Sequence, residues 1–325
     1  NKMKNNYTVS VRLMTYMHAS FIKDAMDGIM MQKTDFKVEV VVGDDFSTDG
    51  TLDIIRNYSD TDHIHIKILE REKGDAYWQK RQELGRLYNF INILENCKGK
   101  YIAILDGDDY WTDPLKLQKQ VDFLELNESY SMIFSDINLV DENGLLKQQN
   151  TLKNYKEVFS QHDFPFYCPS PTRVHRNLEF YKNLHNVNLK GLDTLMLANL
   201  SRIGKVKFLR QSTSNYRVHK NGVWNSMNSL HKYSEYINTH LICLDFIDSK
   251  SSKKNLIEIS KRLLKIKKIS SRNFDVELKR VKKKYLNIIS KTKLRMNIVF
   301  VFEIILKLPL KDSLKIKIIR KLVNI

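Results

Sequence analysis

YIAILDGDDYW, residues 101–111, is the stretch that decides the fold. Its first five residues are apolar and partly β-branched, which predicts a buried strand. Three carboxylates follow within four positions, Asp106, Asp108 and Asp109, and the glycine between them permits a sharp turn. Carboxylates this close repel one another unless a cation or hydrogen-bond donors offset their charge. The stretch therefore indicates either a divalent-cation site shared with substrate phosphates or a plain acidic turn.

A second acidic strand end favours the binding site. Residues 38–42 (VEVVV) predict another buried strand, which runs directly into Gly43, Asp44 and Asp45. In parallel α/β sheets, ligands bind beyond the carboxyl ends of the strands. An aspartate at such an end can accept a nucleobase N–H or a ribose hydroxyl. Both acidic clusters are therefore expected to face one site.

The surrounding chain alternates between strand and helix patterns. Strands are predicted over 9–13, 38–42, 64–69 and 101–105, and helices over 21–31, after residue 51 and over 84–97. Strands alternating with helices predict an α/β fold with a mainly parallel, doubly wound sheet.

The order and spacing of these motifs resemble the inverting family 2 glycosyltransferases of the GT-A fold, over about residues 7–225. MTYM at 14–17 is similar to the family's Pro-Thr-Tyr-Asn, with methionines in place of the proline and the asparagine. DDFSTDGT at 44–51 is similar to Asp-Asp-x-Ser-x-Asp-x-Thr, and DGDD at 106–109 to the Asp-x-Asp metal motif. The resemblance implies a Rossmann-like, mixed and mainly parallel sheet flanked by helices. It further implies that residues 1–110 bind a nucleotide sugar and that residues 111–249 bind the acceptor.

The resemblance implies donor contacts in the first half. Asp45 would read the base of a nucleoside diphosphate sugar, usually uracil, with Thr15 and Tyr16 close to the base and ribose. Asp106 and Asp109 would bind the sugar, the ribose or metal-bound water.

It also implies metal and phosphate contacts. Asp108 would be the main ligand of Mn²⁺ or Mg²⁺. NYRVH at 215–219 resembles the family's Tyr-Arg-x-His element, in which His219 would donate to the diphosphate or ligate the metal and Arg217 would pair with phosphate. An exposed polar loop is the alternative for this element.

Asp193, in Gly-Leu-Asp at 191–193, falls where the resemblance implies a catalytic carboxylate. As general base it would take the proton of an acceptor hydroxyl, which then displaces the diphosphate with inversion. The alternative is that Asp193 only caps the helix that follows. The acceptor contacts expected in the second half are Trp111, Arg173 and Trp224.

Charge separates the last quarter of the chain. Residues 250–325 hold 23 Lys and Arg against 5 Asp and Glu, whereas residues 1–249 hold 31 against 32. The lysines alternate with isoleucine and leucine at helical spacing, which predicts a basic α-helical C-terminal region. Such helices suit an anionic membrane surface first, packing in a bundle or oligomer second, and nucleic acid third. A lipid-linked acceptor would give membrane docking a purpose.

The remaining composition points to the cytoplasm. Three cysteines have no pairing pattern, and neither a signal peptide nor a segment of about 20 apolar residues is found. We therefore expect a protein peripheral on the inner face of the cell membrane, acting in bacterial surface polysaccharide synthesis without nucleic acid. A nucleotidyltransferase and a noncatalytic nucleotide-sugar or glycan-binding scaffold are the alternatives.

Overall fold

The computed structural model describes residues 7–178, 191–220, 222, 227–247, 249–289 and 303–323. The chain divides into two compact units, each described by itself below. Unit 1 is drawn from Asn1–Phe159, Tyr167–Asn188 and Ile203–Lys220, and unit 2 from Ser160–Phe166, Leu189–Arg202 and Asn221–Ile325.

Unit 1 is built on one mixed sheet. Its strands are β1 Val9–Thr15, β2 Val38–Asp44, β3 Ile64–Ile68, β4 Tyr101–Asp106, β5 Tyr110–Trp111, β6 Tyr130–Val140, β7 Leu146–Gln148, β8 Val158–Phe159, β9 Val174–Arg176 and β10 Lys205–Arg217. The strand order is β3-β2-β1-β4-β9-β6-β10-β5, with β7 on β6 and β8 on β10.

The first four strands are parallel, as the alternating sequence pattern predicts. β1 pairs with β2 on one side and with β4 on the other, so Thr15 lies opposite Asp44 and Met14 opposite Asp106. Because the strands run in the same direction, this register brings all three strand-end motifs to one edge of the sheet. The two acidic clusters predicted to face one site therefore lie at the same edge of the sheet.

The second half of the sheet departs from a simple parallel order. β9 lies between β4 and β6 and is antiparallel to both, whereas β6 and β10 are parallel. β10 carries register shifts at Leu209/Ser212 and Ser212/Asn215, so it bends before it reaches Arg217.

Among the described residues, five α-helices belong to unit 1. They are α1 Ile22–Met30, α2 Thr51–Arg56, α3 Ala76–Leu84, α4 Leu87–Asn96 and α5 Lys116–Leu126. The helix predicted over 84–97 is α4, which begins only at Leu87 because the chain turns at Gly85 with a left-handed φ of 70°. Helix α3 lies before this turn and is not among the predicted helices. Asp75 starts α3 by accepting a hydrogen bond from the Trp78 amide.

One part of the core of unit 1 lies between α1, α5 and the sheet. Ile22, Met26 and Ile29 recur at helical spacing and are fully buried against the strands. A Cβ on Gly28 would lie 2.8 Å from the Trp111 carbonyl oxygen, so only glycine allows this helix to approach β5 so closely.

Unit 2 is helical, which confirms the predicted helical C-terminal region. Its helices are α6 Leu192–Ile203, of which the last residue belongs to unit 1, α7 Ser229–Cys243, α8 Ser249–Ile269, α9 Ser271–Ile289 and α10 Asp312–Val323, with a helical turn over 303–307. Ile237, Leu241 and Leu244 form a core with apolar residues of α8, α9 and α10 such as Leu263. Across the described ranges, no helix combines the length and the apolar character needed to cross a bilayer.

Candidate active site

Asp106 ends β4 beside a buried arginine. Arg12 lies on the neighbouring strand β1, is 1% exposed, and its Nη1 lies 2.7 Å from Asp106 Oδ1. Burial raises the pKa of Asp106 above its ordinary value, although the charge of Arg12 lowers it in part. The ion pair fixes this carboxylate at the edge of the sheet.

Asp108 lies between two histidines. Its Oδ2 is 3.1 Å from His219 Nε2 and 3.8 Å from His18 Nε2, and Thr15 Oγ1 lies 3.2 Å from the other ring nitrogen of His18. Burial acts to raise the pKa of Asp108, but the His219 hydrogen bond and the nearby imidazoles outweigh it and lower the pKa below its ordinary value. This carboxylate is therefore kept ionised.

Asp109 and Arg217 fix the loop after β4. The Arg217 amide donates to Asp109 Oδ1 at 2.9 Å, and burial beside Asp108 raises the pKa of Asp109 well above its ordinary value. The guanidinium of Arg217 donates through Nε to the Asp108 carbonyl, through Nη1 to the Glu142 carbonyl and through Nη2 to Asp24 Oδ2. Because its three nitrogens all have protein acceptors, Arg217 is a positioning residue here, and direct phosphate contact stays a prediction.

Asp45 opens onto a cleft of about 320 Å³. Arg81 contacts both of its carboxylate oxygens, with Nε at 2.8 Å from Oδ1 and Nη2 at 2.7 Å from Oδ2, and the Tyr77 hydroxyl donates to Oδ1 at 3.2 Å. The cleft is lined by Tyr16, Asp45, Phe46, Lys73, Arg81, Gln82 and Arg86. Four charged residues and an exposed tyrosine make it suited to a polar, flat ligand.

The two residues predicted beside the base differ in exposure. Tyr16 is 52% exposed and lines the cleft, so its ring is available for stacking. Thr15 is 1% exposed, its carbonyl accepts the Asp45 amide at 3.0 Å, and its hydroxyl lies against His18. Thr15 therefore supports the site from behind.

A second arginine, Arg71, stiffens the wall next to this cleft. Its Nη1 donates to the Asp44 carbonyl and to Asn89 Oδ1, both at 2.7 Å, and its guanidinium lies 3.6 Å from the centre of the Tyr77 ring. Burial lowers the pKa of Arg71. The ring of Tyr77, whose hydroxyl donates to Asp45, is therefore held by Arg71 and by Tyr88, against which it also packs.

The carboxylate and imidazole of Asp108 and His219 suit a divalent cation. Carboxylate oxygen and imidazole nitrogen are ligands that Mn²⁺ accepts, and both atoms converge within 3.1 Å. Among the residues that the structure describes, no group of three or more His, Cys, Asp or Glu side chains is arranged as a complete metal cage. Such a partial set matches ions that take their remaining ligands from substrate phosphates and water.

Asp193 lies in the first turn of α6, in unit 2. The Gly191 carbonyl accepts the Thr194 amide at 3.1 Å, so the helix begins where the sequence predicts. A Cβ on Gly191 would lie 2.5 Å from Thr239 Oγ1, which requires glycine at this contact with α7. Burial and the negative charge of Asp193 raise the pKa of the Cys243 thiol. The carboxylate therefore stands near the C-terminal part of α7.

The predicted acceptor residues have structural contacts. Trp111 is 1% exposed and its indole Nε1 donates to the Pro171 carbonyl at 2.8 Å. Arg173 is 4% exposed and donates to the Cys168 carbonyl. Both side chains support the interior of unit 1, and we assign neither of them a contact with acceptor. Trp224 lies outside the described residues.

Several residues of the site are absent from the sequence prediction, among them Arg12, His18 and Arg81. Each meets its aspartate across a long stretch of chain, for example His18 with Asp108. An arginine inside the apolar strand of residues 9–13 was a usable signal, because a buried arginine requires a carboxylate partner. His18 and Arg81 carry no such signal, since a lone histidine or a helical arginine is ordinary on a surface.

Comparison with known proteins decides the family. The profile of glycosyl transferase family 2 matches residues 10–187, which include β1 to β4 and their strand-end carboxylates. The chain belongs to glycosyl transferase family 2. An uncharacterized protein of Mycobacterium tuberculosis is 28% identical over 220 residues, which cover 67% of this chain and 61% of that protein. The chain thus spans about three fifths of the length of this relative.

Other family 2 relatives and solved structures agree with the fold. The putative teichuronic acid biosynthesis glycosyltransferase TuaG of Bacillus subtilis is 32% identical over 137 residues, 42% of this chain and 49% of TuaG. The structure of S. aureus TarS residues 1–349 with UDP-GlcNAc aligns with a TM-score of 0.65 at 18% identity, covering 98% of this chain and 90% of the TarS chain. The predicted GT-A fold is confirmed by this likeness and by the sheet topology.

Proposed function

We propose that this protein transfers a sugar, with inversion, from a nucleoside diphosphate sugar to a hydroxyl of a glycan or lipid-linked acceptor in bacterial surface polysaccharide synthesis. The observation that carries the proposal is a single sheet edge that bears both a polar cleft at Asp45 and the ionised carboxylate of Asp108. A base-sized cleft beside a carboxylate that can hold a phosphate-bound divalent cation is what such a donor requires. Membership in family 2 and the likeness to TuaG support the same chemistry.

Uridine is the proposed base. Tyr16 would stack on the ring, and the Asp45–Arg81 pair offers one acceptor group and one donor group to the base edge. The carboxylate would accept the imide N–H while the guanidinium donates to a carbonyl of the base. The S. aureus TarS structure contains UDP-GlcNAc, which makes a UDP sugar the first donor to test.

Asp108 and His219 would hold Mn²⁺ or Mg²⁺, with Asp106 close enough to contact the ribose, the sugar or bound water. When bound, the ion would neutralise charge on the leaving diphosphate. A mannosyltransferase of Pyrobaculum calidifontis has been solved with GDP-Man and Mn²⁺, at a TM-score of 0.50 and 14% identity over 98% of this chain and 88% of that one. The residues of this chain supply the orientation, because Arg217 fixes the backbone between Asp108 and Asp109.

Asp193 is the proposed general base. It would accept the proton of the attacking hydroxyl, so that the oxygen attacks the anomeric carbon opposite the diphosphate and no covalent sugar–enzyme intermediate forms. Its place in the first turn of α6 puts the carboxylate beside amides that carry partial positive charge.

The basic C-terminal region would bring the enzyme to the inner face of the cell membrane, where a lipid-linked acceptor is found. Its positive charge is supported by the sequence, and packing of the helices in an oligomer is the alternative use. Nucleic acid is not a proposed partner.

A donor screen tests the proposal. We expect hydrolysis of a UDP sugar in the presence of Mn²⁺ or Mg²⁺, near-complete loss in Asp108→Asn, and full activity in the exposed control Asp62→Asn. Release of UDP is the measurement, with thermal shift for donor binding. Full activity of Asp108→Asn, or full activity in EDTA, would contradict the metal assignment. Donor binding without turnover would favour the noncatalytic scaffold instead.

A further inference from the structure

A strongly basic groove runs between α8 and α10 in unit 2. It encloses about 480 Å³, and Leu264 and Ile316 give it an apolar floor. Its cationic lining consists of Lys261, Arg262, Lys265, Lys268, Lys317 and Arg320. We call this feature the basic groove.

Much of the positive charge in the basic groove is uncompensated. Lys268 pairs with Asp312 across the groove, with 2.7 Å between Nζ and Oδ2. For Lys265, Lys317 and Arg320, the described residues include no carboxylate in ion-pair contact. Cations held this close repel one another, so an anion in the groove would lower their electrostatic energy.

Lys315, which lies beside the basic groove, is also surrounded by positive charge. Its Nζ lies 3.4 Å from the Leu306 carbonyl oxygen and 3.9 Å from Asp312 Oδ1. Burial lowers the pKa of Lys315, and the positive charges of Lys267 and Lys268 lower it further. The local potential is therefore positive even where a carboxylate is present.

Large aliphatic side chains are exposed at one end of the basic groove. Ile269, at the end of α8, is 52% exposed, and Leu314, in the first turn of α10, is 45% exposed. They share this end because the neighbouring residues Lys268 and Asp312 are in contact. Exposed aliphatic residues next to lysines are typical of helices that lie in a membrane interface.

We propose that the basic groove binds the phosphate-bearing headgroup of an anionic lipid, with Ile269 and Leu314 inserted into the interfacial layer of the bilayer. The inference rests on the proposed function, which places the enzyme at a membrane, and it names the surface that makes the contact. Arginine forks and lysine ammonium groups are the donors that phosphate oxygens accept. The apolar floor suits the glycerol and first acyl carbons of a lipid.

A soluble polyanion fits these observations less well. Single-stranded nucleic acid binds along basic tracks lined with exposed aromatic rings. Two tyrosine rings lie against groove cations, Tyr236 against Arg262 and Tyr233 against Lys265, but both are half-buried and neither lines the groove, whose apolar lining is aliphatic. Binding of a free phosphate polymer would not account for the exposed aliphatic side chains of Ile269 and Leu314. The lipid headgroup accounts for both the charge and the apolar end.

Charge-matched variants of the full chain test the groove. Lys265→Gln/Lys317→Gln removes two groove cations, and Lys279→Gln/Lys283→Gln removes two exposed cations of α9 outside it. We expect the groove variant to bind vesicles of phosphatidylglycerol and phosphatidylcholine about thirtyfold more weakly, because each lysine near such a surface contributes about 1 kcal/mol. The α9 variant should lose much less, by cosedimentation at low salt. Equal losses in both variants would mean that the positive charge of the whole region attracts the vesicles. This result would overturn the assignment of lipid binding to the basic groove.

A second variant separates lipid from soluble phosphate. Ile269→Ser/Leu314→Ser should weaken vesicle binding while leaving the binding of soluble polyphosphate unchanged. Vesicles ignored by the full chain, with polyphosphate or an oligonucleotide retained through Lys265 and Lys317, would contradict the lipid assignment. Melting temperature and vesicle-free UDP-sugar hydrolysis, expected to be unchanged in all variants, verify folding. Vesicle binding with no hydrolysis in the unmodified protein would reject the proposed transfer and leave the groove standing.

Discussion

Met17 is a methionine in a left-handed backbone conformation, with φ of 54°, in the loop after β1. Its amide donates to Ser47 Oγ at 2.8 Å, so the loops after β1 and β2 are fixed to each other through this strained position. The family pattern has asparagine here, a residue that visits the left-handed region readily. The departure therefore has an energetic cost in the folded state.

Relieving that strain should stabilise the protein. We expect Met17→Asn to raise the free energy of unfolding by about 1 kcal/mol, because asparagine tolerates this conformation. Met17→Ala is the control, since it keeps the strained backbone and loses the contact between Met17 Sδ and Thr48. Urea unfolding of the three proteins is the measurement. If Met17→Ala raises the free energy of unfolding as much as Met17→Asn does, the destabilisation comes from the Met17 side chain and not from its backbone conformation.

Two roles are proposed for Asp193, and one substitution distinguishes between them. As general base, Asp193→Asn should lower kcat by about 10²–10⁴ with donor affinity retained. As a first-turn carboxylate only, it would cost about 0.3–1 kcal/mol of helix stability and leave the rate unchanged. Single-turnover rates at saturating donor, with donor Kd measured in parallel, give the answer. Loss of donor binding with the rate preserved would remove Asp193 from the chemistry.

For single residues, the sequence predicts the position of the site carboxylates better than it predicts the side chains that contact them. Asp106, Asp108 and Asp109 follow a strand pattern, so their place at a sheet edge can be predicted. Arg12 and His18 contact them only because β1 and β4 are neighbours, and such contacts between distant residues leave no local signal.

Among the elements, α5 carries the least expected residue. Lys116 is fully buried, its Nζ donates to Gln120 Oε1 at 2.8 Å, and it lies 4.4 Å from the centre of the Trp111 ring. Burial lowers the pKa of Lys116 to about 7, although the charge of Asp113 acts to raise it. The apolar spacing predicts helix α5, but from the sequence alone a lysine is expected on the exposed face of a helix and not in its core.

This burial predicts a pH dependence. The folded protein holds the Lys116 proton less tightly than the unfolded chain does, whose lysine has its ordinary pKa of 10.5. The free energy of unfolding should therefore rise as the pH goes from about 7 toward 10. Lys116→Met removes this rise and is more stable than the unmodified protein near pH 7. Denaturant unfolding at pH 7 and 9.5 measures it, with exposed Lys33→Met as control. Parallel curves for the unmodified protein and Lys116→Met would contradict the assignment.

Element boundaries show where local patterns end. The helix predicted over 84–97 begins only at Leu87, because Gly85 adopts a left-handed conformation that separates it from α3. The apolar residues 132–134 form only part of strand β6, Tyr130–Val140, because β9 and β10 pair along it. Pairing partners far away in the chain set its length, and the local sequence does not contain them.

For the whole molecule, unit 2 has its own core. Leu263 is fully buried in a cluster that joins residues of α7, such as Ile237, to α8, α9 and α10. A cut after residue 249 would therefore expose the apolar face of α7. The separation of residues 250–325 as a region stays a prediction, and its vesicle binding is better tested by point substitutions.

Leu263→Ala tests this core. We expect it to lower the free energy of unfolding of unit 2 by about 2–5 kcal/mol, because the cavity it leaves cannot fully collapse. Hydrogen exchange should quicken in α8 and α9, while the exposed control Val276→Ala leaves exchange unchanged. If the strands β1 and β2 lose protection to the same extent, the two units unfold as one cooperative body.

The position of β9 sets the order in which the sheet is completed during synthesis. β4 ends at Asp106, yet the strand that covers its free edge comes only at Val174–Arg176. At about 5–20 residues per second, the ribosome exposes an unpaired parallel edge for several seconds. A translational pause in this interval should lower the soluble yield, whereas the same pause after β10 should not. The sheet of unit 1 is thus complete only when the chain has returned to β4.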